Sequence, residues 1–409
     1  MRNISNKFLL KVLLASIYTA GVLGIVASGG GGGDDDGGGF FCQLSIQAIA
    51  PATDGSGDIW IGVTSGSPQG EVESVVRLNS SGSEQASFVI GEGNENEVRA
   101  IAIANDLLNA NKVYVAGDFA GGILRLSEDG SLDASFVVGS GFDDRVNSIV
   151  PAADGSGDIY VGGFFSYYDG TEVSGLVRLH NDGELDTGFD ADGGGWESVA
   201  LATDAPFLGY IYSGGSGGVE RWDNLGIRDS SFNEFIEGTY SVTPAADASG
   251  AIYVGGPSSP PFTGGIARLN SDGTIDGSFD AGTGFNYAVM SIVRADDGTG
   301  DIYAGGLFTT YDGASANGIA RLLPDGSPAV NFSIGDGFGN RPNDPYPTNY
   351  VFSLARATDG TTDIYVGGGF IFYQGNPSNG IVRLNSDGSL DTGFAVRIPV
   401  EGGTCSNEY

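Results

Sequence analysis

Histidine occurs once in the 409-residue chain, at His180, and cysteine twice, at Cys42 and Cys405. That scarcity excludes zinc sites of the ordinary kind, which need three or four Cys and His ligands. It also leaves Ser–His catalysis dependent on a single imidazole. His180 falls in the slot that Asn79, Asn270 and Asn385 hold elsewhere, so a turn role is expected for it. Lys112 is the only lysine beyond Lys11, and no Gly-x-x-x-x-Gly-Lys phosphate loop occurs. Bases are few in general: 18 Lys and Arg stand against 51 Asp and Glu, a formal net charge of −33. With no basic patch, nucleic acid and anionic lipid are excluded as partners. Helical spacing is also missing, since no segment keeps apolar residues at intervals of three and four.

Glycine is what the chain has in excess, 71 residues, against a usual share of about 7%. It follows no Gly-X-Y period, which excludes a collagen-like chain. The 17 Tyr and 23 Phe supply enough aromatic surface for a core and argue against general disorder. Short strands divided by Gly-rich turns fit this composition.

Residues 1–28 contain three bases (Arg2, Lys7, Lys11), no acid, and an apolar run over 12–27 that is short for a membrane span. They read as a signal peptide, 1–28, followed by a Gly/Asp-rich tether, 29–39. Ile25–Gly29 has the outline of a lipoprotein box, but Ser28 stands where the lipidated cysteine would be. A secreted, periplasmic or cell-surface protein is therefore expected, with no membrane-spanning region once the signal is removed. An uncleaved anchor is the alternative.

Aligned on itself, the rest of the chain shows one frame seven times. Each unit opens with an alternating apolar segment and a turn such as Asp-Gly-Ser-Gly-Asp at 54–58 and 154–158. Next comes a strand centred on an aromatic: Trp60, then Tyr114, Tyr160, Tyr212, Tyr253, Tyr303 and Tyr365. A second frame carries an arginine (Arg77, Arg125, Arg178, Arg221, Arg268, Arg321, Arg383), an Asp-Gly turn, and a closing phenylalanine from Phe88 to Phe394. The period of about fifty residues is that of propeller blades. Asp-Gly steps favour tight hairpins, and two hairpins per unit make four strands. The expectation is all-β: a single seven-bladed β-propeller of four-stranded antiparallel blades over 40–409. Its repeats run approximately 44–97, 98–145, 146–196, 197–239, 240–288, 289–350 and 351–409. Gly-Gly pairs after the aromatic strand (162–163, 255–256, 305–306) suit backbone crowding near an axis. An open solenoid is the alternative architecture. A ring brings its ends together, so Cys42 and Cys405 are expected to form a disulfide, worth about 5 kcal/mol at most for so large a loop; two free thiols are the alternative.

The segment Gly-Ile-Ala-Arg-Leu-Asn-Ser-Asp-Gly at 265–273, followed by 274–279, resembles the delta-60 repeat family, as does Phe308-Thr-Thr-Tyr-Asp-Gly preceding Gly318-Ile-Ala-Arg-Leu. Matching pieces span roughly 44–394. Units 1 and 4 depart most, with Ser81 in place of the turn Asp and Trp222-Asp-Asn-Leu-Gly in place of the usual turn. The resemblance implies a bacterial propeller, often outside the cell, and brings no catalytic residue with it.

The seven periodic arginines, each beside a turn aspartate, are expected to pair within their own blades. The Asp-rich turns leave Ca²⁺ binding possible, although the full ligand set of a calcium loop is lacking. Asymmetry between units says more about function. The loop from strand aromatic to arginine is longest in units 3, 6, 7 and 1, and three of these carry Phe-x-x-Tyr-[Asp/Gln]-Gly, at 165–170, 308–313 and 370–375. An insertion rich in Asn, Pro and Tyr lies at 340–350. Long Tyr-rich loops on rigid scaffolds are where binding surfaces lie. The candidate binding residues are thus Arg341, Asp344, Tyr346, Tyr350, Tyr311, Asp312 and Tyr373. For the Phe and Tyr of the repeated pattern, packing beneath the loops is the competing reading. The expected function is an exported, monomeric binding or adhesion module that recognises a polysaccharide or surface protein through repeats 6, 7 and 1, with no cofactor. The alternatives are a carboxylate-based carbohydrate-active enzyme and a calcium-stabilised structural envelope protein.

Overall fold

In Ile-Tyr-Val-Gly-Gly, β-branched and aromatic residues that favour a pleated, buried surface run directly into two residues without side chains. The five form the strand Ile159–Gly163, buried along its whole length, and the same pattern gives Ile302–Gly306 and Ile364–Gly368. Each lies at the centre of an antiparallel sheet, between the alternating segment that opens its unit and the strand that carries its arginine. The computed structural model that shows this describes residues 44–67, 70–92, 97–104, 109–202, 207–232, 236–259, 264–339, 350–400 and 403–406. The expected signal peptide, the tether and Cys42 lie outside the described residues.

Among the described residues there is no helix. The first sheet has four strands in chain order, Leu44–Pro51, Ile59–Ser67, Gly70–Leu78 and Glu84–Glu92. Six further sheets, one for each later unit, have three. In those the expected fourth strand is reduced to a single antiparallel bridge, as at Leu126↔Leu132, Leu269↔Ile275 and Leu384↔Leu390. The reason is local. After the bridge an aspartate such as Asp276 accepts the Ser278 amide and hydroxyl at 2.9 and 2.6 Å, and Phe279 closes a turn onto the Asp276 carbonyl at 3.1 Å. The chain curls away before a ladder can form.

Neighbouring sheets meet where the glycines were expected to relieve crowding. A Cβ at Gly162 would stand 2.5 Å from Val199 Cγ2, and one at Gly305 would stand 2.7 Å from Val351 Cγ1. The same contact joins the last unit to the first, with Gly367 against Ile46 at 2.8 Å. There the Tyr365 hydroxyl also donates to Gly57 O at 3.2 Å, and the Ala395 amide donates to Ser81 O at 3.0 Å. Leu44, Ile46, Ile61 and Val63 share one apolar cluster with Tyr365, Ile381 and Val396.

A serine links successive opening strands. Each such strand, except the one in unit 5, slips register by one residue early on, as between Val146 and Ser148. In units 3, 4 and 6 the residue that follows is a serine that accepts an amide of the next unit: Ser148 from Val199 at 3.0 Å, Ser198 from Val242 at 3.1 Å, and Ser291 from Leu354 at 3.2 Å. Ser241 does the same for Ile292 at 3.0 Å. These hydroxyls satisfy edge-strand donors that would otherwise be buried unpaired. Ser291→Ala is expected to cost about 1–2 kcal/mol, read as a lower urea midpoint at unchanged slope. Ser315→Ala, at an exposed hairpin position, should leave the midpoint in place.

Candidate functional site

The two ends of the sheets differ in chemistry. At one end lie the turn that opens each unit and the Asp-Gly turn that follows its arginine. Here the aromatic, the arginine and the closing phenylalanine recur, although the aspartate partner shifts, to Asp133 for Arg125 and Asp229 for Arg221. In unit 6, Arg321 Nε donates to Asp301 at 2.8 Å, Nη2 to Asp297 at 2.5 Å and Nη1 to the Tyr303 hydroxyl at 3.2 Å. The guanidinium lies 5.4 Å from the Tyr303 ring centroid, and Phe332 packs edge-on against that ring at 5.5 Å. Unit 7 repeats the set with Arg383, Asp359, Asp363, Tyr365 and Phe394. Burial pushes the Tyr365 phenol up to about 12, so it remains a proton donor.

The arginines were expected to pair inside their own blades, and they also reach beyond them. Nη1 of Arg77, Arg125, Arg221 and Arg321 donates to the carbonyl of Glu128, Asn181, Ser271 and Ser386, in each case the second residue of the next unit's turn. The turn aspartates are equally occupied. Asp272 accepts the Thr274 hydroxyl and amide, and these hydrogen bonds hold its carboxyl below the usual range. His180 takes its expected turn role, with the Gly183 amide donating to its carbonyl at 2.9 Å. It stands with Asp158 and Asp186 in a cluster of metal-ligand type. Arg178 Nε lies 2.9 Å from Asp158 and 3.7 Å from Asp186, however, so a fixed guanidinium already supplies the positive charge there.

The opposite end carries the loops of unequal length. Three units hold an extra hairpin here: Tyr167–Tyr168 with Thr171–Glu172, Thr310–Tyr311 with Ala314–Ser315, and Phe372–Tyr373 with Asn376–Pro377. Asp169 and Gly170 both have positive φ, 44° and 79°, the geometry that Asp-Gly hairpin turns require. Two of the expected binding residues need correction at this point. Tyr311 and Tyr373 are 2% and 0% exposed, so neither ring can stack on a ligand. Tyr311 packs on Phe285 at 4.5 Å and donates to Gly326 O at 2.5 Å. Tyr373 packs on Phe338 at 4.8 Å and donates to Gly388 O at 2.5 Å. Packing beneath the loops, the competing reading of the repeated pattern, describes both. Asp312 is exposed, but its Oδ1 accepts the Thr283 amide and hydroxyl at 2.9 and 3.2 Å and so ties the hairpin to the preceding linker. Tyr350 is half-buried, its ring 6.0 Å from Phe352. Arg341, Asp344 and Tyr346 lie outside the described residues.

Five segments of the chain, 111–136, 155–189, 248–279, 298–332 and 358–394, match the family model described as a domain of unknown function (DUF5122) beta-propeller. These are DUF5122 propeller repeats. Each matched segment ends on the closing phenylalanine of its unit, so the DUF5122 pattern takes in the aromatic, the arginine and the Asp-Gly turn whose contacts are given above. Units 1 and 4, the two expected to depart most, are those without a match. No curated protein matches the chain. Among solved structures it resembles the extracellular domain of the putative one component system BT4673 from B. thetaiotaomicron, at 16% identity and a TM-score of 0.51. That alignment covers 88% of this chain and 39% of the other, so the chain spans about two fifths of the length of that domain. Sqt1 from Chaetomium thermophilum aligns over 84% of this chain and 96% of its own at 12% identity, with a TM-score of 0.49. The likeness is one of fold. Among the described residues no helix is long and apolar enough to cross a membrane.

Sequence reasoning missed one set of positions, which lies outside the matched segments: the residue at the register slip of the opening strands and its equivalent in unit 5. Its side chain differs in every unit. The signal was present as a position in the opening segment where the repeats disagree in chemistry, but only the strand pairing reveals that these residues are equivalent.

Proposed function

We propose that this chain is an exported, closed, seven-bladed β-propeller that binds a polysaccharide or a surface protein at the end carrying its unequal loops. The observation that carries this reading is the contrast between the two ends. A surface that repeats the same Asp, Arg and Gly in unit after unit, with its carboxylates already bonded, has little left to offer one particular ligand. A surface whose loops change length and residue type around the ring can present a single arrangement, and rigid scaffolds with variable loops are common recognition surfaces. Closure is supported by the contacts of unit 7 with unit 1. Export is supported by the basic and apolar residues of 1–28 and by the acidic character of the rest. The insertion at 340–350, with Arg341, Asp344, Tyr346 and Tyr350, is the proposed contact segment, and neither a metal nor a second copy of the chain is needed for it.

Binding of the secreted chain to a broad glycan array and to isolated cell-surface material tests this. Selective retention that falls at least tenfold in Tyr346→Ala is the expected result. Blank arrays together with no retention of surface proteins would overturn the reading.

A further inference from the structure

Seven side chains sit at the register slip of the opening strands or, in unit 5, at the equivalent position between Thr239 and Ser241. Bulges of this kind re-aim a side chain and occur beside binding sites. In units 1 to 4 the residues are Gln47, Arg99, Asn147 and Glu197. In units 5 to 7 they are Tyr240, Met290 and Phe352. Six of the seven are half-buried and Asn147 is 9% exposed. Unit order therefore splits the set into a polar half and an aromatic or apolar half, although the flanking residues repeat.

The polar half converges. Asn147 Nδ2 donates to Glu197 Oε2 at 3.0 Å and to Trp196 O at 3.1 Å. Arg99, in the opening strand of unit 2, and Arg145, which leads into the opening strand of unit 3, both act on that carboxyl electrostatically. Arg99 itself pairs with Glu97, and the Arg145 guanidinium lies 4.3 Å from the Phe164 ring centroid. Three atoms here are buried without a hydrogen-bond partner: Arg99 Nε, Arg145 Nε and Asn147 Oδ1. Two are donors and one is an acceptor.

From this we infer that the axial mouth at the loop end holds a neutral sugar ring, an inference that rests on the binding-module reading above and gives it a second site, apart from 340–350. Vicinal hydroxyls both donate and accept, which matches a set of half-buried planar groups with donors on Gln47, Arg99 and Arg145 and acceptors on Gln47 and Glu197. The apolar face of a pyranose fits the aromatic half, where Tyr240 and Phe352 supply ring surface. Two arginines and two glutamates leave the cluster without net charge. An acidic ligand gains little from it, and the chain's formal −33 repels such a ligand at long range.

Calorimetry of the whole secreted chain with cellobiose, maltose, lactose and sodium glucuronate tests the proposal. Binding of at least one neutral disaccharide is expected, with affinity unchanged between 50 mM and 500 mM NaCl and no binding of glucuronate. Glu197→Gln and Phe352→Ala should each weaken it tenfold or more while melting within a few degrees of the parent. Neutral sugar binding that both folded variants retain would overturn the axial site and leave the binding module standing. Retention of charged glycans alone would overturn the neutral class. Blank calorimetry and a blank array would overturn the axial inference together with the polysaccharide form of the function.

Discussion

Arg321→Met is expected to destabilise the protein by about 3–5 kcal/mol, the cost typical of breaking a buried ion pair from one side. Arg321 has 3% of its side chain exposed, and it holds Asp301 at 4% and Asp297 at 14%. Methionine fills much of the space but leaves two carboxylates facing each other beneath Tyr303, each without its positive partner. The substitution also removes the bond to Ser386 O, so the junction with unit 7 loosens along with unit 6. Arg228→Met is the natural comparison. Arg228 is 54% exposed and pairs with Glu220, at 3.0 Å. Surface pairs contribute about 0–1 kcal/mol. Guanidinium chloride unfolding of the two variants should therefore separate them clearly. Equal losses would mean that the buried arginines are not what fixes the turn end.

Acid is the second large perturbation expected. Twelve described aspartates have carboxyls held below their usual range. For Asp54 and Asp276 the largest cause is the hydroxyl two residues on, Ser56 or Ser278. For Asp154 and Asp297 burial works the other way and is outweighed by the Ser156 or Thr299 hydroxyl and an arginine. A carboxyl depressed in the folded state contributes stability that is fully present above its unfolded value, about 3.9. That stability is lost as pH falls through the lower folded value. Glu84, Glu197 and Glu220 oppose this, since burial raises them, and their contribution is present at low pH and lost as pH rises. They are outnumbered. After allowance for exposure, the net effect should be a loss of stability that sets in as pH falls below about 4. Protonation also relieves repulsion within a strongly negative chain, so the melting curves belong in 0.5 M salt, where that relief is screened. A melting temperature that stays flat from pH 6 to pH 2.5 under those conditions would contradict the assignment.

The turn end was legible in the sequence because its residues act through short-range, repeated chemistry. An aspartate two residues before a serine, or an arginine eight residues before an aspartate, makes the same contact wherever it recurs. What periodicity could not give is what happens between units. That Arg125 extends to Asn181 depends on how one sheet sits against the next. The Phe-x-x-Tyr pattern was found readily, and its repetition was itself the sign of a packing role. Tyr311 and Tyr373 looked like contact residues only while their burial was unknown. The register-slip residues were the reverse case. Gln47, Arg99, Asn147, Glu197, Tyr240, Met290 and Phe352 share a place but no single chemistry, so self-alignment had no common residue to match. The fourth strand failed for a local reason: Asp-Gly turns announced a hairpin, yet the capped turn that follows, as at Asp276–Phe279, ends the pairing after one bridge.

The forward reach of the arginines bears on how such a chain could have grown. In units 1, 2, 4 and 6 an arginine leaves its own sheet to hold a carbonyl of the neighbour's turn, and the tyrosine hydroxyls of units 2, 4 and 7 do the same to a neighbouring glycine carbonyl. A stretch of about fifty residues thus carries a grip for the unit ahead and a handle for the unit behind. Copied in tandem, it arrives with both and needs no compensating change in either neighbour. Point substitution has the opposite character, because the loss of one such arginine is felt on both sides of a junction. Descent by duplication is therefore easy for this architecture, and drift at its arginines is not.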